Sequence, residues 1–167
     1  MIDAATVERF QRDGAVCIRQ LFRPQEMTVL RAGIDENLVH LSPRAKVASG
    51  ADDPGRFVED FCNRQDNADY RRFIFDSALP ETAARLMRST TARLYHDHML
   101  TKEPGTRQPT PWHQDQPYYN VEGRHNVSFW IPVDPVPRET TLEFLAGSHD
   151  GTWYKKWPRK TEQRNKW

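Results

Sequence analysis

Cysteine is scarce: Cys17 and Cys62 are the only two in 167 residues. One pair in a chain of this size makes no disulfide framework, so a reducing compartment is expected. Cys17 lies in the apolar run Ala15-Val16-Cys17-Ile18, where it reads as a small buried hydrophobe. An excess of one charge is also absent. Twenty-four Lys and Arg against 23 Asp and Glu leave a formal charge of +1, with no basic block or acidic tail. That argues for no nucleic acid and no anionic membrane as partner. No apolar stretch approaches the length of a bilayer span. The opening Met1-Ile2-Asp3-Ala4 has neither a charged n-region nor an apolar h-region, so no secretory leader is expected. The final Asn165-Lys166-Trp167 is no peroxisomal address, and a cytoplasmic location is the default. Internal repeats and low-complexity segments are missing too. Apolar residues make up only 37%, which fits an incompletely covered core or a polar, loop-rich one. Disorder does not follow, because five Trp, five Tyr and eight Phe are spread along the chain.

What is present reads as helices followed by short strands. Residues 3–13 have helical spacing (Val7, Phe10) with Gly14 as a stop. Ala15 to Leu21 reads as a strand. Pro24 suits the first position of a second helix reaching about His40, with Met27, Leu30, Ile34, Leu38 and Leu41 on one face. Residues 42–56 read as a loop, Phe57 to Cys62 as a short strand, and 69–75 and 80–89 as two short helices. Strands are expected at 92–102, 126–133 and 141–145, with an extended segment at 112–119, where Pro111 and Pro117 disfavour helix. From Thr152 the chain turns basic and aromatic without clear period. The class is α+β with a mainly β core, a sandwich or barrel.

The chemistry centres on Trp112-His113-Gln114-Asp115-Gln116. In an extended strand residues two apart share a face, so His113 and Asp115 can offer an imidazole and a carboxylate to one divalent ion. One more histidine would make the facial triad of non-haem iron oxygenases. Alone, His-x-Asp is a weak signal, and a solvated strand end with a local hydrogen bond is the better reading of the bare tripeptide. His96 and His98 are also two apart, although a satisfied strand pair is the better reading for them. His125 reads as a loop residue.

The surroundings add weight. Asp97-His-Met-Leu-Thr-Lys102-Glu-Pro-Gly105, Thr110-Pro-Trp-His113-Gln-Asp115, Phe129-Trp130-Ile-Pro132 and Leu142-Glu-Phe144-Leu-Ala-Gly147-Ser148-His149 follow in one order and spacing. Together with Phe10-Gln-Arg-Asp13-Gly14-Ala-Val16, they resemble the phytanoyl-CoA dioxygenase family over most of residues 7–154. The resemblance implies a double-stranded β-helix (a cupin-like jelly roll) with N-terminal helices. It divides one domain, 1–167, into a helical part (1–90), the first part of the jelly roll (91–154) and a tail (155–167). It implies iron(II) held by His113 and Asp115, and 2-oxoglutarate as cosubstrate, with ascorbate as a possible reductant. Lys102 would help hold the cosubstrate, a dianion that needs charge-assisted donors. His98 and Trp130 would line it, with His98 standing where relatives carry methionine. Lys102 as an ordinary surface lysine and Trp130 as plain core stay open. His149 belongs to the family's Gly-Ser-His turn and reads as structural.

The activity implied couples oxidative decarboxylation of 2-oxoglutarate to hydroxylation of an unactivated C–H bond in a small organic substrate. Asp115 fills a position that halide-using relatives leave open, which favours hydroxylation. In the family a third histidine ligand and an arginine for the far carboxylate lie well downstream. Nothing here matches either, and Arg124 and Arg138 fall on the wrong side of the fold order. The closing strands of the jelly roll are also missing. The expectation is a C-terminally truncated chain, inactive by itself and prone to self-association through open sheet edges. A diverged short member and a chain completed by a partner are the alternatives. A jelly-roll binding module without redox activity, with or without metal, is the competing functional class. The substrate is not legible, since its pocket would be built from loops, with 42–56 and 116–123 as the candidates.

Overall fold

In the computed structural model, residues 1–150 and the backbone of Asn165–Lys166 are described. They form two compact units. One holds Met1–Leu21, Pro80–Ala92 and the chain from Pro111 onward; the other holds Phe22–Leu79 and Arg93–Thr110.

In the first unit, helix α1 runs Ala4–Asp13. The Asp3 carboxylate caps it by accepting from the Thr6 N–H at 2.7 Å, satisfying one of the free donors of the first turn. Gly14 ends it at φ 79, donating its N–H to Phe10 O, a left-handed position that suits glycine. The strand expected at Ala15 to Leu21 is not formed. A turn at Arg19–Gln20, with Gln20 at φ 55, interrupts the run, and no described segment pairs beside it. Cys17 is exposed, not buried. Helix α4, Leu79–Leu86, buries Thr82, Ala83 and Leu86.

The second unit is a helix-backed sheet. Helix α2, Pro24–Val39, starts with proline at its first turn. The Glu26 carboxylate reaches back to the Arg23 N–H at 2.6 Å. Strands β1 (Lys46–Val47), β2 (Phe57–Phe61) and β3 (His98–Lys102) pair antiparallel in the order β1-β2-β3. Between β2 and β3 in the chain comes helix α3, Ala68–Asp76, capped by the Asn67 side chain accepting from Tyr70 N at 2.9 Å. Val58, Tyr70 and Met99 form the core, against which Leu30, Ile34, Leu38 and Ile74 pack. These include three of the five α2 positions read as one face. Leu41 lies past the helix end and is exposed.

Strand β3 is shorter than the expected 92–102. Its pairing begins at His98 opposite Phe61, because Cys62 takes φ 60 and ends β2. Cys62 N still donates to Asp97 O at 2.9 Å, but residues 92–97 form no strand with any described residue. Asp60, fully buried, is the polar centre of this unit. It accepts from Asn37 Nδ2 at 2.9 Å, Ser42 N at 2.8 Å, the Ser42 hydroxyl, and Phe61 N at 2.8 Å. Asn37 in turn accepts from Asn63 Nδ2 and the Tyr70 hydroxyl, each at 3.1 Å.

The α+β class is observed, and the mainly β core is not. Besides the three-stranded sheet, the described residues hold only a two-residue pairing, β4 (Glu143–Phe144) with β5 (Asn165–Lys166). No jelly roll is formed among the described residues. The segments 112–119 and 126–133 carry no strand. Their β-formers set a propensity, but a ladder also needs a neighbouring chain to bond. The tail at 155–167 lies outside the described residues, apart from the backbone of β5. No helix among the described residues is long and apolar enough to cross a membrane.

Candidate metal centre

His113 and Asp115 meet, but not as strand neighbours. Asp115 has helical dihedrals (φ −71, ψ −33) and opens a 3-10 turn over Gln116–Tyr118. The same-face argument from strand parity therefore does not apply. A turn closed by Tyr118 N donating to Asp115 O at 2.9 Å brings the carboxylate round instead. His113 Nε2 then lies 3.3 Å from Asp115 Oδ1, with the two side chains 42% and 49% exposed.

The outer contacts define what each donor offers. His113 Nδ1 is 2.8 Å from the Pro111 carbonyl oxygen. That oxygen can only accept, so Nδ1 carries the hydrogen and, in the neutral ring, Nε2 keeps its lone pair. A ring nitrogen lone pair and a carboxylate oxygen thus face each other, an arrangement that suits a shared cation. Such a bond from the far ring nitrogen is the usual outer support of a metal-binding histidine. Asp115 Oδ2, facing away, accepts from Ser128 Oγ at 3.1 Å and from the Tyr119 hydroxyl at 3.3 Å.

The segment is fastened from behind. Gln114 Nε2 donates to Ser148 O at 3.0 Å. The same Gly-Ser-His turn holds the end of α1: Gly147 N donates to Asp13 O at 2.8 Å, and His149 Nε2 donates to Gln11 O at 3.0 Å. His149 thus has the structural place expected of it.

His98 and Lys102 belong to the other unit, on the sheet face shared by Phe57, Glu59, Phe61 and Leu100. Lys102 is exposed, with its ammonium engaged in local contacts. Its ammonium donates to Gln108 O and Thr110 Oγ1, each at 2.9 Å, and sits 4.6 Å from the centre of the Phe57 ring. Burial lowers its pKa, against an opposing pull from Glu59. His98 stacks on Phe61 at 4.0 Å and stands 3.7 Å from Glu59 Oε1. Trp130 is in the first unit and 49% exposed, so it is not the buried core residue that was its alternative reading. A cleft of the second unit, lined by Ala68, Arg71, Arg72, Phe75 and Asp76, contains none of these residues.

Sequence reasoning missed Pro111, Tyr119 and Ser128. Tyr119 is four residues past Asp115, a spacing that a turn brings together, whereas Ser128 carries no local signal at all.

An imidazole nitrogen and a carboxylate oxygen thus stand 3.3 Å apart, each supported from outside. Their donor types fit two positions of an iron(II) facial triad. Among the described residues no third His, Cys, Asp or Glu joins them. The chain belongs to the phytanoyl-CoA dioxygenase (PhyH) family, whose model matches residues 10–167. No curated protein and no solved structure gives a significant match. Family membership makes the chain an oxygenase-type protein, and the family's fold is cupin-like.

Proposed function

We propose that the chain carries the iron-binding part of an iron(II)- and 2-oxoglutarate-dependent dioxygenase that hydroxylates an unactivated C–H bond of a small organic molecule. The observation that carries this reading is the 3.3 Å approach of His113 Nε2 to Asp115 Oδ1, in a chain of the phytanoyl-CoA dioxygenase family. His113 and Asp115 would hold iron(II), which would supply the oxidising chemistry with dioxygen and 2-oxoglutarate. The third ligand would come from outside the described residues, as would the arginine for the far carboxylate and the remaining jelly-roll strands. Lys102 would bind one 2-oxoglutarate carboxylate through its ammonium. The ammonium lies 4.6 Å from the Phe57 ring centre and already donates to Gln108 O and Thr110 Oγ1, leaving one N–H for a carboxylate. His98 and Trp130 would line the cosubstrate. Strands β1 and β3 are the edges of the three-stranded sheet, and self-association through them belongs to the same reading.

The absence of a three-donor cluster among the described residues favours a second reading, a jelly-roll binding module without redox activity. Anaerobic titration separates the two. Iron(II) followed by 2-oxoglutarate should give a charge-transfer absorption band that Asp115→Ala abolishes. Metal binding with no such band at saturating 2-oxoglutarate would favour the binding module.

A further inference from the structure

The Asp115 carboxylate does two jobs with its two oxygens. Oδ1 faces His113 Nε2 at 3.3 Å, and Oδ2 is covered by two hydroxyls, Ser128 Oγ at 3.1 Å and Tyr119 OH at 3.3 Å. Those hydroxyls are themselves 3.1 Å apart, so the three atoms close a triangle. An ionised carboxylate only accepts, while each hydroxyl has one hydrogen to give. Both hydrogens satisfied on Oδ2 leave the lone pairs of Oδ1 directed at the histidine.

The arrangement spans separate pieces of chain. Tyr119 follows the 3-10 turn that Asp115 opens, with extended dihedrals (φ −97, ψ 138) that leave the turn. The Gln116 side chain donates to Val121 O at 2.6 Å and braces the loop beyond it. Ser128 lies nine residues past Tyr119 in sequence, in the segment that leads to Trp130. The carboxylate is itself about half exposed, so without the hydroxyls water would solvate it in many orientations. Fixing χ1 and χ2 of an exposed aspartate costs rotamer entropy. Two charge-assisted donors on one oxygen offset that cost and select one rotamer.

We propose that Tyr119 and Ser128 are positioning residues. They hold Asp115 so that one oxygen alone is presented beside His113, making the carboxylate a one-oxygen ligand to a divalent ion. A carboxylate clamped on one oxygen cannot chelate through both, and so leaves a coordination position for a further ligand. The inference rests on His113 and Asp115 being a metal pair, and the test keeps the two ideas apart.

The full chain is titrated with copper(II), which stands highest in the divalent affinity order and whose electron paramagnetic resonance spectrum reports the atoms bound. The spectral component lost in both His113→Ala and Asp115→Ala defines the site. In the double variant Tyr119→Phe/Ser128→Ala this component should weaken by about tenfold in affinity, the lower end of what loss of an outer partner costs. Its hyperfine splitting should also change as the carboxylate begins to bind through both oxygens. Ser128→Thr, which keeps the hydroxyl, should restore the wild-type spectrum, and that rescue is not expected of a merely structural role. Unchanged circular dichroism in each variant shows that folding is kept. A double variant with wild-type affinity and splitting would overturn the positioning role while leaving the metal pair standing. If Asp115→Ala itself binds copper like the wild type, the metal pair fails and the positioning role falls with it.

Discussion

His149 fills the space where a side chain on residue 14 would go: a methyl group added to Gly14 would overlap its imidazole ring. Gly14 also sits at φ 79, a region that costs a residue with a Cβ about 1 kcal/mol or more. Gly14→Ala should therefore lower stability by roughly 1–3 kcal/mol, read as a drop in urea midpoint. Because the same turn receives Gln114 through Ser148 O, metal affinity at His113 and Asp115 should fall as well. A variant as stable as the parent would mean that the imidazole moves aside without loss.

Asp60 should make the second unit sensitive to acid. Burial alone would raise its pKa, but donors from Ser42 and Asn37 outweigh it and bring the value down to about 2. A carboxylate with a depressed pKa contributes stability above its unfolded value of 3.8 and loses it as pH falls toward 2. The contribution is about 2 kcal/mol. Stability measured by urea at fixed pH should decline through that window, and the decline should be absent in Asp60→Asn.

Truncating the same residue should cost more than protonating it. Asp60→Ala strands the Asn37 amide, the Ser42 hydroxyl and two backbone N–H groups in a buried place. Roughly 3–5 kcal/mol is expected for breaking such a network, measured by equilibrium unfolding. A cost under 1 kcal/mol would mean that water enters and replaces the carboxylate.

Lys102→Met keeps the stem over Phe57 and removes the charge. If the ammonium binds a 2-oxoglutarate carboxylate, affinity should fall by about tenfold to a hundredfold, since a hydrogen bond to a charged group contributes roughly 1.5–3 kcal/mol. Anaerobic titration in the presence of iron(II) measures it. Equal affinity in the variant would return Lys102 to a purely structural tie between β3 and residues 108–110.

With two donors among the described residues, iron(II) should bind weakly, and the 167-residue chain should release little succinate from 2-oxoglutarate with iron(II) and ascorbate. Robust release that depends on Asp115 would show that a third ligand is recruited, from His96, His98, His125, His149 or another copy of the chain.

The helices were legible because their signals are local. Asp3 and Gly14 bracket α1, Pro24 opens α2, and the Leu30, Ile34 and Leu38 spacing marks the side that packs. Strands were less legible, because pairing depends on what lies alongside. Ala15–Ile18 has strand composition and no pairing partner among the described residues, and Cys62 at φ 60 cuts short the ladder that residues 92–97 could have joined. The approach of His113 to Asp115 was expected from strand parity but arises from a 3-10 turn, so two different backbones give the same donor spacing. Tyr119 and Ser128 were not legible, since a hydroxyl acquires a role only when the fold carries it to Oδ2.

The hub on Asp60 also bears on the order in which the second unit assembles. Its donors, Asn37, Ser42 and Phe61, are at most 23 residues from Asp60, so the loops it closes are short. Strand β3 must return across a separation of about 40 residues to pair with β2. Short loops close at lower entropic cost and contacts of low separation form sooner. In a chevron analysis, substitutions at Asn37 and Ser42 should slow refolding. Met99→Ala, in the strand that arrives late, should chiefly hasten unfolding.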